Sequence, residues 1–343
     1  MITLNSASGT GIISTTAGAK GVMASTGPFS PNSVVKVSYS FDGATSGIYA
    51  GLVAYKGNFA QSIVFPSSSL KFEIINPDPY NQINIDVFTS SGFSPVQLFS
   101  AGEQGAWYDP SDLTTLFQDS AGTIPVTTAG QPVGRMLDKS GRGNHATQAT
   151  AAARPTYQTS GGLHWLAFDG IDDSMVTPTI TPGVDKAQVF VGLQKLSNTT
   201  AILAELSVGI IGNAGSFIII QGDYLSAEYT GGSRGSAVFA DSFLAKWVGN
   251  TAPDTTVLTS THDIAGDLSV IRRNGVNGIN STVDKGTGNF LAYPIYIGAR
   301  GGSQLFANCN LYGMTIRFGA NLAAGQITSS ETYYAAKTGV VLP

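Results

Sequence analysis

Charge is scarce in this sequence. Only 12% of its 343 residues are Asp, Glu, Lys or Arg, about half the ~25% usual for soluble domains. The 18 basic and 22 acidic residues leave a net charge of −4. The basic residues are scattered, and no run of Lys and Arg exists that would neutralise a row of phosphates, which argues against nucleic-acid binding. Cysteine is almost absent: Cys309 stands alone and has no second thiol for an internal disulfide. The fold is therefore expected to form without staples, in a reducing cytoplasm. Cys309 lies in an apolar/polar alternation from Leu305 to Leu311, the pattern of a strand with a buried thiol. Long apolar runs are missing too. The longest, Val208 to Ile220, is broken by Gly209, Gly212, Asn213, Gly215 and Ser216, well short of the ~20 residues that span a bilayer. Residues 1–11 lack a basic start and a continuous apolar core, so no secretory signal is expected.

What is present is glycine, 42 residues of it, with abundant Ser and Thr. Turn formers and β-branched residues with few helix formers predict many short strands joined by tight turns. The length suits about two domains. Val34 to Tyr39 alternates as a half-buried strand does, and similar pieces follow at 47–55, 61–65, 71–75 and 83–89. Asp42-Gly43 and Lys56-Gly57-Asn58 supply turns, and Pro77-Asp78-Pro79 predicts a loop. This spacing predicts an N-terminal antiparallel β-sandwich over residues 1–100. Small polar residues at 101–106 read as a linker.

A second domain is expected over 107–343. Trp107 to Gln118 reads as a strand followed by a helical turn with Ser111 as N-cap. Strands follow at 165–168, 187–193, 215–221, 268–273 and 295–298, and Asn274-Gly275 signals a hairpin. One helix closes the chain, from Ser329 through Lys337 and stopped by Gly339. There is no fixed-period repeat and no heptad seam for a coiled-coil shaft.

Three passages of this second domain carry a resemblance. Asp138-Lys139-Ser140-Gly141-Arg142-Gly143-Asn144-His145-Ala146 resembles the Asp-x-Ser-Gly-x-Gly-Asn-x-Ala segment of laminin-G-like, concanavalin A-like modules. Phe168-Asp169-Gly170-Ile171-Asp172-Asp173 resembles the Phe-Asp-Gly-x-x-Asp turn after their first core strand. The C-terminal passage, Ile297-Gly298-Ala299-Arg300 through Leu311-Tyr312-Gly313 to the helix, is similar to their closing strands and terminal helix. The resemblance implies an all-β protein whose second domain is a concanavalin A-like jelly-roll sandwich with a short C-terminal helix. The lead-in, Trp107-Tyr108-Asp109-Pro110-Ser111-Asp112-Leu113, resembles versions in phage-encoded virion proteins.

These features set the functional expectations. The resemblance implies a non-enzymatic bacteriophage virion protein: a capsid decoration subunit, head fibre or tail fibre. It would be made in the host cytoplasm and exposed on the particle. Residues 1–100 would anchor it to capsid or tail proteins, and the jelly roll would display a surface for host polysaccharide. A homotrimer suits a fibre and a lattice three-fold alike. Neither membrane insertion nor nucleic acid is expected. Two alternatives stay open: a polysaccharide-degrading tail spike and a purely structural, shell-stabilising protein.

The enzyme alternative requires two converging carboxyl groups. The Glu-x-Asp-x-x-Glu strand that marks glucanases of this shape is absent, and Glu205 and Glu228, on separate predicted strands, are the available pair. His145, His164 and His262 stand apart, without the short spacing of zinc ligands. No Gly-x-Ser-x-Gly elbow joins a strand to a helix. Asp169, Asp172 and Asp173 crowd one turn, as hard cations require, and laminin-G-like modules often hold calcium. The same residues also suit a plain Asp-Gly turn with solvated carboxylates. For a glycan, Tyr224, Tyr229 and Trp247 near turns and Arg234 on a Gly-rich segment are the candidate ligand-binding residues.

Overall fold

The computed structural model describes residues 93–343, apart from 225, and eight strands within the first 92 residues. The chain divides into two compact units, Met1–Phe93 and Ser94–Pro343.

The first unit is antiparallel throughout its described strands. Thr10–Ser14, Ser69–Ile75, Val34–Tyr39 and Tyr49–Ala54 lie side by side in one sheet. Ile2–Asn5 pairs with Gln82–Ile85, and Lys20–Ala24 with Ala60–Val64. The strand expected at 34–39 is found at those residues. The turns expected at 42–43 and 56–58 and the loop at 77–79 lie outside the described residues.

The second unit is a sandwich of two antiparallel sheets. In spatial order the nine-stranded sheet holds Leu116–Phe117, Arg135–Met136, Ala146–Thr147, Met175–Val176, Ile295–Ile297, Ala201–Leu206, Ser216–Tyr224, Ala227–Arg234 and Leu244–Trp247. The eight-stranded sheet runs Thr156–Ser160, Leu163–Asp169, Asn308–Phe318, Lys186–Lys195, Asp254–Asp263, Leu268–Arg273 and Val276–Asn277. Its eighth strand, Gln104–Tyr108, lies along the far half of Asn308–Phe318, beyond the stretch that Leu163–Asp169 occupies. The neighbours of the closing strand come from positions far back in the chain, so the sandwich cannot close until its C-terminus is made.

Alternation fixes which side chains meet between the sheets. Ala187, Val189, Val191 and Leu193 face Phe217, Ile219, Leu203 and Leu206 in one fully buried cluster with Leu311, Met314, Ile316 and Phe318. Each of the larger side chains, Val to Phe, contributes roughly 1.5–3 kcal/mol on burial. Cys309 belongs to this cluster, and burial pushes its thiol up to about 12, so it acts as a small apolar residue.

The C-terminal helix, Ala324–Thr338, covers part of the outer face of the eight-stranded sheet. Tyr334 Oη lies 2.6 Å from Thr315 Oγ1, and Glu331 accepts from Arg272 Nε at 2.7 Å and Thr259 Oγ1 at 3.0 Å. Gly192 sits under it, where a Cβ would come 2.9 Å from the Thr338 methyl. Gly339 ends the helix in the left-handed conformation at φ +76°, as expected from its position. The helix begins five residues before Ser329. Gln326 reaches back to accept the Ala323 amide at 3.1 Å, a local cap that the sequence reading passed over. At the hairpin, Asn274 and Gly275 both adopt positive φ, +50° and +81°, as the Asn-Gly signal predicts.

Two expectations need correction. Ser111 does not cap a helical turn: Asp112 accepts from the Thr114 amide to cap a short 3₁₀ turn, Leu113–Thr115, and Ser111 Oγ instead donates to Asp109. The boundary expected at 100/101 falls at 93/94. Leu98 and Phe99 are buried in the second unit, Arg317 Nε donates to Leu98 O at 2.8 Å and Arg142 Nη2 to Phe99 O at 2.6 Å. Residues 101–106 are thus no free linker, since Gln104–Tyr108 is a ladder strand. Gly105 reads as linker-like but is demanded by packing: a Cβ there would lie 2.0 Å from Ile316 O.

Candidate functional site

The strand Leu163–Asp169 ends in a turn that gathers three carboxylates. Gly170 takes φ +79°, and a Cβ at this position would come 2.8 Å from Asn308 Cβ, so the turn tolerates only glycine. Asp169 Oδ1 accepts the amides of Ile171 at 2.8 Å and Asp172 at 3.3 Å, while Asp173 Oδ2 accepts the Asp169 amide at 3.0 Å. The loop closes on itself, and one carboxylate oxygen from each of Asp169, Asp172 and Asp173 falls within 4.8 Å of the others. Asp169 is exposed, Asp172 half-buried and Asp173 buried. Burial, aided by the charges of Asp169 and Asp172, pushes the Asp173 carboxyl up to about 6. Among the described residues none of the three is ion-paired with a base. Oxygen-only donors with uncompensated like charge in one small loop fit a hard divalent cation such as calcium. The sequence-predicted cluster is therefore assembled in space.

The segment from Asp138 to Asn144 does a different job. Asp138, buried, accepts the amides of Trp107 at 2.9 Å, Ser140 at 2.8 Å and Asn144 at 3.0 Å, together with Ser140 Oγ at 2.8 Å. Asn144 Nδ2 donates to Gly105 O at 2.7 Å, and Tyr108 Oη donates to Asn144 O at 2.5 Å. His145 Nδ1 accepts the Asp138 amide at 3.0 Å. Asp-x-Ser-Gly-x-Gly-Asn is thus a clasp that holds the Gln104–Tyr108 strand in the sheet.

Glu205 and Glu228 are each bonded to a base. Glu205 is fully buried, accepts the Ile210 amide at 2.6 Å and pairs with Arg300 Nε at 3.1 Å. Burial raises its carboxyl, with Arg300 and the Ile210 amide pulling the other way. Glu228 is bonded to Lys195, a fully buried lysine that also donates to Asn250 O at 2.6 Å and lies over the Tyr229 ring. Both glutamates serve as counter-ions. Ser260 and His262 touch, Oγ to Nε2 at 3.0 Å, but His262 is fully buried against Phe217, and Asp263 lies on the opposite face with Lys186.

The residues named for a sugar divide. Tyr229 is fully buried in the core and its hydroxyl donates to Asp254 at 2.8 Å, which removes it from any ligand. Arg234, on its Gly-rich segment, ends a strand, and its guanidinium is tied to the carbonyls of Ile210 at 3.1 Å and Ile211 at 2.6 Å. Trp247 is half-buried, donates from Nε1 to Asn250 at 2.9 Å and lies beneath Arg273. Tyr224 is half-buried and donates to Asp241 at 2.7 Å. The four do not converge on one surface: Tyr229 and Trp247 pair across the ladder and pack with the core between the sheets, whereas Tyr224 packs against a separate cluster that includes Ile202, Ile210 and Ile218.

Sequence reasoning missed the surface next to the acidic turn. Asp169 pairs across the ladder with Asn308, and two residues back Ala167 pairs with Asn310, so their side chains share the outer face of the eight-stranded sheet. Trp165 lies on that same face, half-exposed. The signal was available: in Leu163–Asp169, Leu166 and Phe168 are core residues, so a period-2 reading turns Trp165 outward.

No protein-family model and no curated protein matches the sequence. Solved structures do match in fold. An arabinofuranosidase complexed with arabinofuranosyl-α-1,2-xylobiose is 14% identical with a TM-score of 0.51, covering 72% of this chain and 65% of that one. A GH54 α-L-arabinofuranosidase soaked with a cyclic sulfate inhibitor is 13% identical with a TM-score of 0.50, covering 72% of this chain and 66% of that one. Domain 4 of a GH43 extracellular arabinanase from Geobacillus stearothermophilus, in complex with arabinotriose, is 16% identical with a TM-score of 0.42, covering 67% of this chain and 98% of that one. The chain spans just under two thirds of the length of the arabinofuranosidases. At these identities the likeness is one of fold: an antiparallel β-sandwich that carbohydrate-active proteins also use.

Proposed function

We propose that this chain is a non-enzymatic structural protein of a bacteriophage virion, a capsid decoration subunit, head fibre or tail fibre, whose second unit binds host-surface glycan with a calcium ion at its edge. Its partners would be capsid or tail proteins, engaged by the first unit, and two further copies of itself. The virion part rests on the resemblance of residues 107–113 and of the jelly-roll passages. The observation that carries the binding part is the acidic turn, whose three unpaired carboxylates sit at the lip of an exposed sheet face. Calcium held by Asp169, Asp172 and Asp173 would neutralise that turn and offer open coordination positions to sugar hydroxyls. The non-enzymatic part is supported by the commitment of Glu205 and Glu228 to Arg300 and Lys195.

Immunogold microscopy of purified particles, with an antibody to residues 94–343, tests the reading. Gold scattered over the shell assigns decoration or a head fibre, and gold at one vertex a tail fibre. Unlabelled particles overturn the virion reading. Release of reducing ends from host polysaccharide, lost in Glu205→Gln or Glu228→Gln, overturns the non-enzymatic part.

A further inference from the structure

The outer face of the eight-stranded sheet is only partly covered by the helix. Beside the helix, two rows of side chains lie open. Trp165, paired across the ladder with Gln158, packs its ring at 5.6 Å and 49° from Tyr312. In the next row Asn310 pairs with Gln194, and Gln194 with Thr255, on three neighbouring strands. All but Tyr312 are half-exposed, although each is paired within the sheet. Asn310 Nδ2 donates to Gln194 Oε1 at 2.8 Å, which ties the two amides together. Their other ends, Asn310 Oδ1 and Gln194 Nε2, have no partner among the described residues. The following row along the same strands is Asp169 and Asn308, the lip that carries the acidic turn.

We infer that this face is the ligand platform, and that its occupant is a segment of uncharged polysaccharide lying across Trp165 and the Asn310–Gln194 amide pair. The inference deepens the glycan-binding reading above and rests on it. Charge complementarity selects the occupant. The two rows contain no charged side chain, so charges of an acidic glycan or peptide lying on these rows would find no counterpart there, whereas a neutral sugar needs none. A half-exposed indole offers its flat face to the C–H side of a sugar ring. Paired amides present one free acceptor and one free donor in fixed positions, which matches hydroxyls that donate and accept at once. Pinning the amides and packing Trp165 against Tyr312 removes side-chain freedom before binding, which lowers its entropic cost.

Affinity electrophoresis of the full chain in gels containing dextran, arabinan, xylan or polygalacturonate, with calcium present, tests this. The chain is expected to be retarded by at least one neutral polymer and to run freely in polygalacturonate. Trp165→Ala should weaken the retardation at least tenfold, and Gln194→Ala three- to tenfold. Tyr224→Ala, on the other sheet, should leave it unchanged. Because Trp165→Ala removes a packed ring, its melting curve is recorded beside it; Gln194→Ala touches no core residue and keeps the test valid if the tryptophan variant is unstable. Retardation by a neutral polymer that neither substitution weakens overturns the platform and leaves the glycan-binding reading standing. Retardation by polygalacturonate alone does the same. A chain that no polymer retards overturns both.

Discussion

Replacing Asp138 by alanine should strongly destabilise the jelly roll. The carboxylate is 8% exposed and accepts three backbone amides, from Trp107, Ser140 and Asn144, and the Ser140 hydroxyl. A hydrogen bond to a charged group contributes about 1.5–3 kcal/mol, and a buried donor left without an acceptor costs about 1–3 kcal/mol. Four bonds do not add in full, because removing the charge also removes its own desolvation cost, of several kcal/mol. The net expectation is about 4 kcal/mol, near the top of the range for single substitutions. For a unit of this size that corresponds to a fall in Tm of roughly 8–16 °C. The effect should be local at first, since the lost bonds release the Gln104–Tyr108 strand through Trp107 and Asn144. Urea unfolding of residues 94–343, followed by tryptophan fluorescence, measures it, and Trp107 reports from the clasp itself. Asp138→Asn should fall between, because its remaining oxygen still accepts while its NH2 meets donors. A loss below about 1 kcal/mol in the alanine variant would refute the clasp.

Further outcomes follow from the same geometry. A fragment starting at residue 107 should be far less stable in thermal melts than one starting at 94, because it lacks half the Gln104–Tyr108 strand and leaves Arg317 without Glu103 and Leu98 O; equal melting temperatures would sink the placement of the boundary. In EDTA at pH 8, Asp173→Asn should stabilise the protein by up to about 3 kcal/mol, because the Asp173 carboxyl is ionised at a cost above pH 6 in the fold and only above about 3.8 when unfolded. The same variant should lose any rise in Tm that calcium gives the parent, and that rise should itself fade as pH drops below 6. His262 acts with the opposite sign: burial, with the Lys285 charge, lowers it from 6.5 to about 3, so stability is lost as pH falls below 6.5 and the unfolded chain takes the proton. Between pH 8 and pH 4 that amounts to about 3 kcal/mol, and His262→Gln should flatten the fall in a urea series across this range; an unchanged slope would show that the buried imidazole is not its source.

The class of fold was legible from the sequence because it follows from local chemistry. Gly-rich, Ser/Thr-rich segments alternating with β-branched runs can only be strands and turns, and Asn274-Gly275 and Gly339 adopt the positive φ their positions demand. Three aspartates within five residues are forced together by one turn, so Asp169, Asp172 and Asp173 could be named from spacing alone. Cys309 in an alternating run was bound for the core on the same grounds. Everything that depends on a partner far along the chain was hidden. Gln104, Gly105 and Ala106 have the composition of a linker, and they join the strand begun at Trp107 only because Ile316–Phe318 lies beside them. Glu205, Glu228 and Arg234 read as free functional groups until Arg300, Lys195 and the carbonyls of Ile210 and Ile211 occupy them. Trp165, Gln194 and Asn310 come from three separate strands, and only the register of the sheet makes them neighbours. Local rules fix what a segment of a few residues prefers; which segments pair, and so which side chains share a face, is decided by burying a core that no single segment can close.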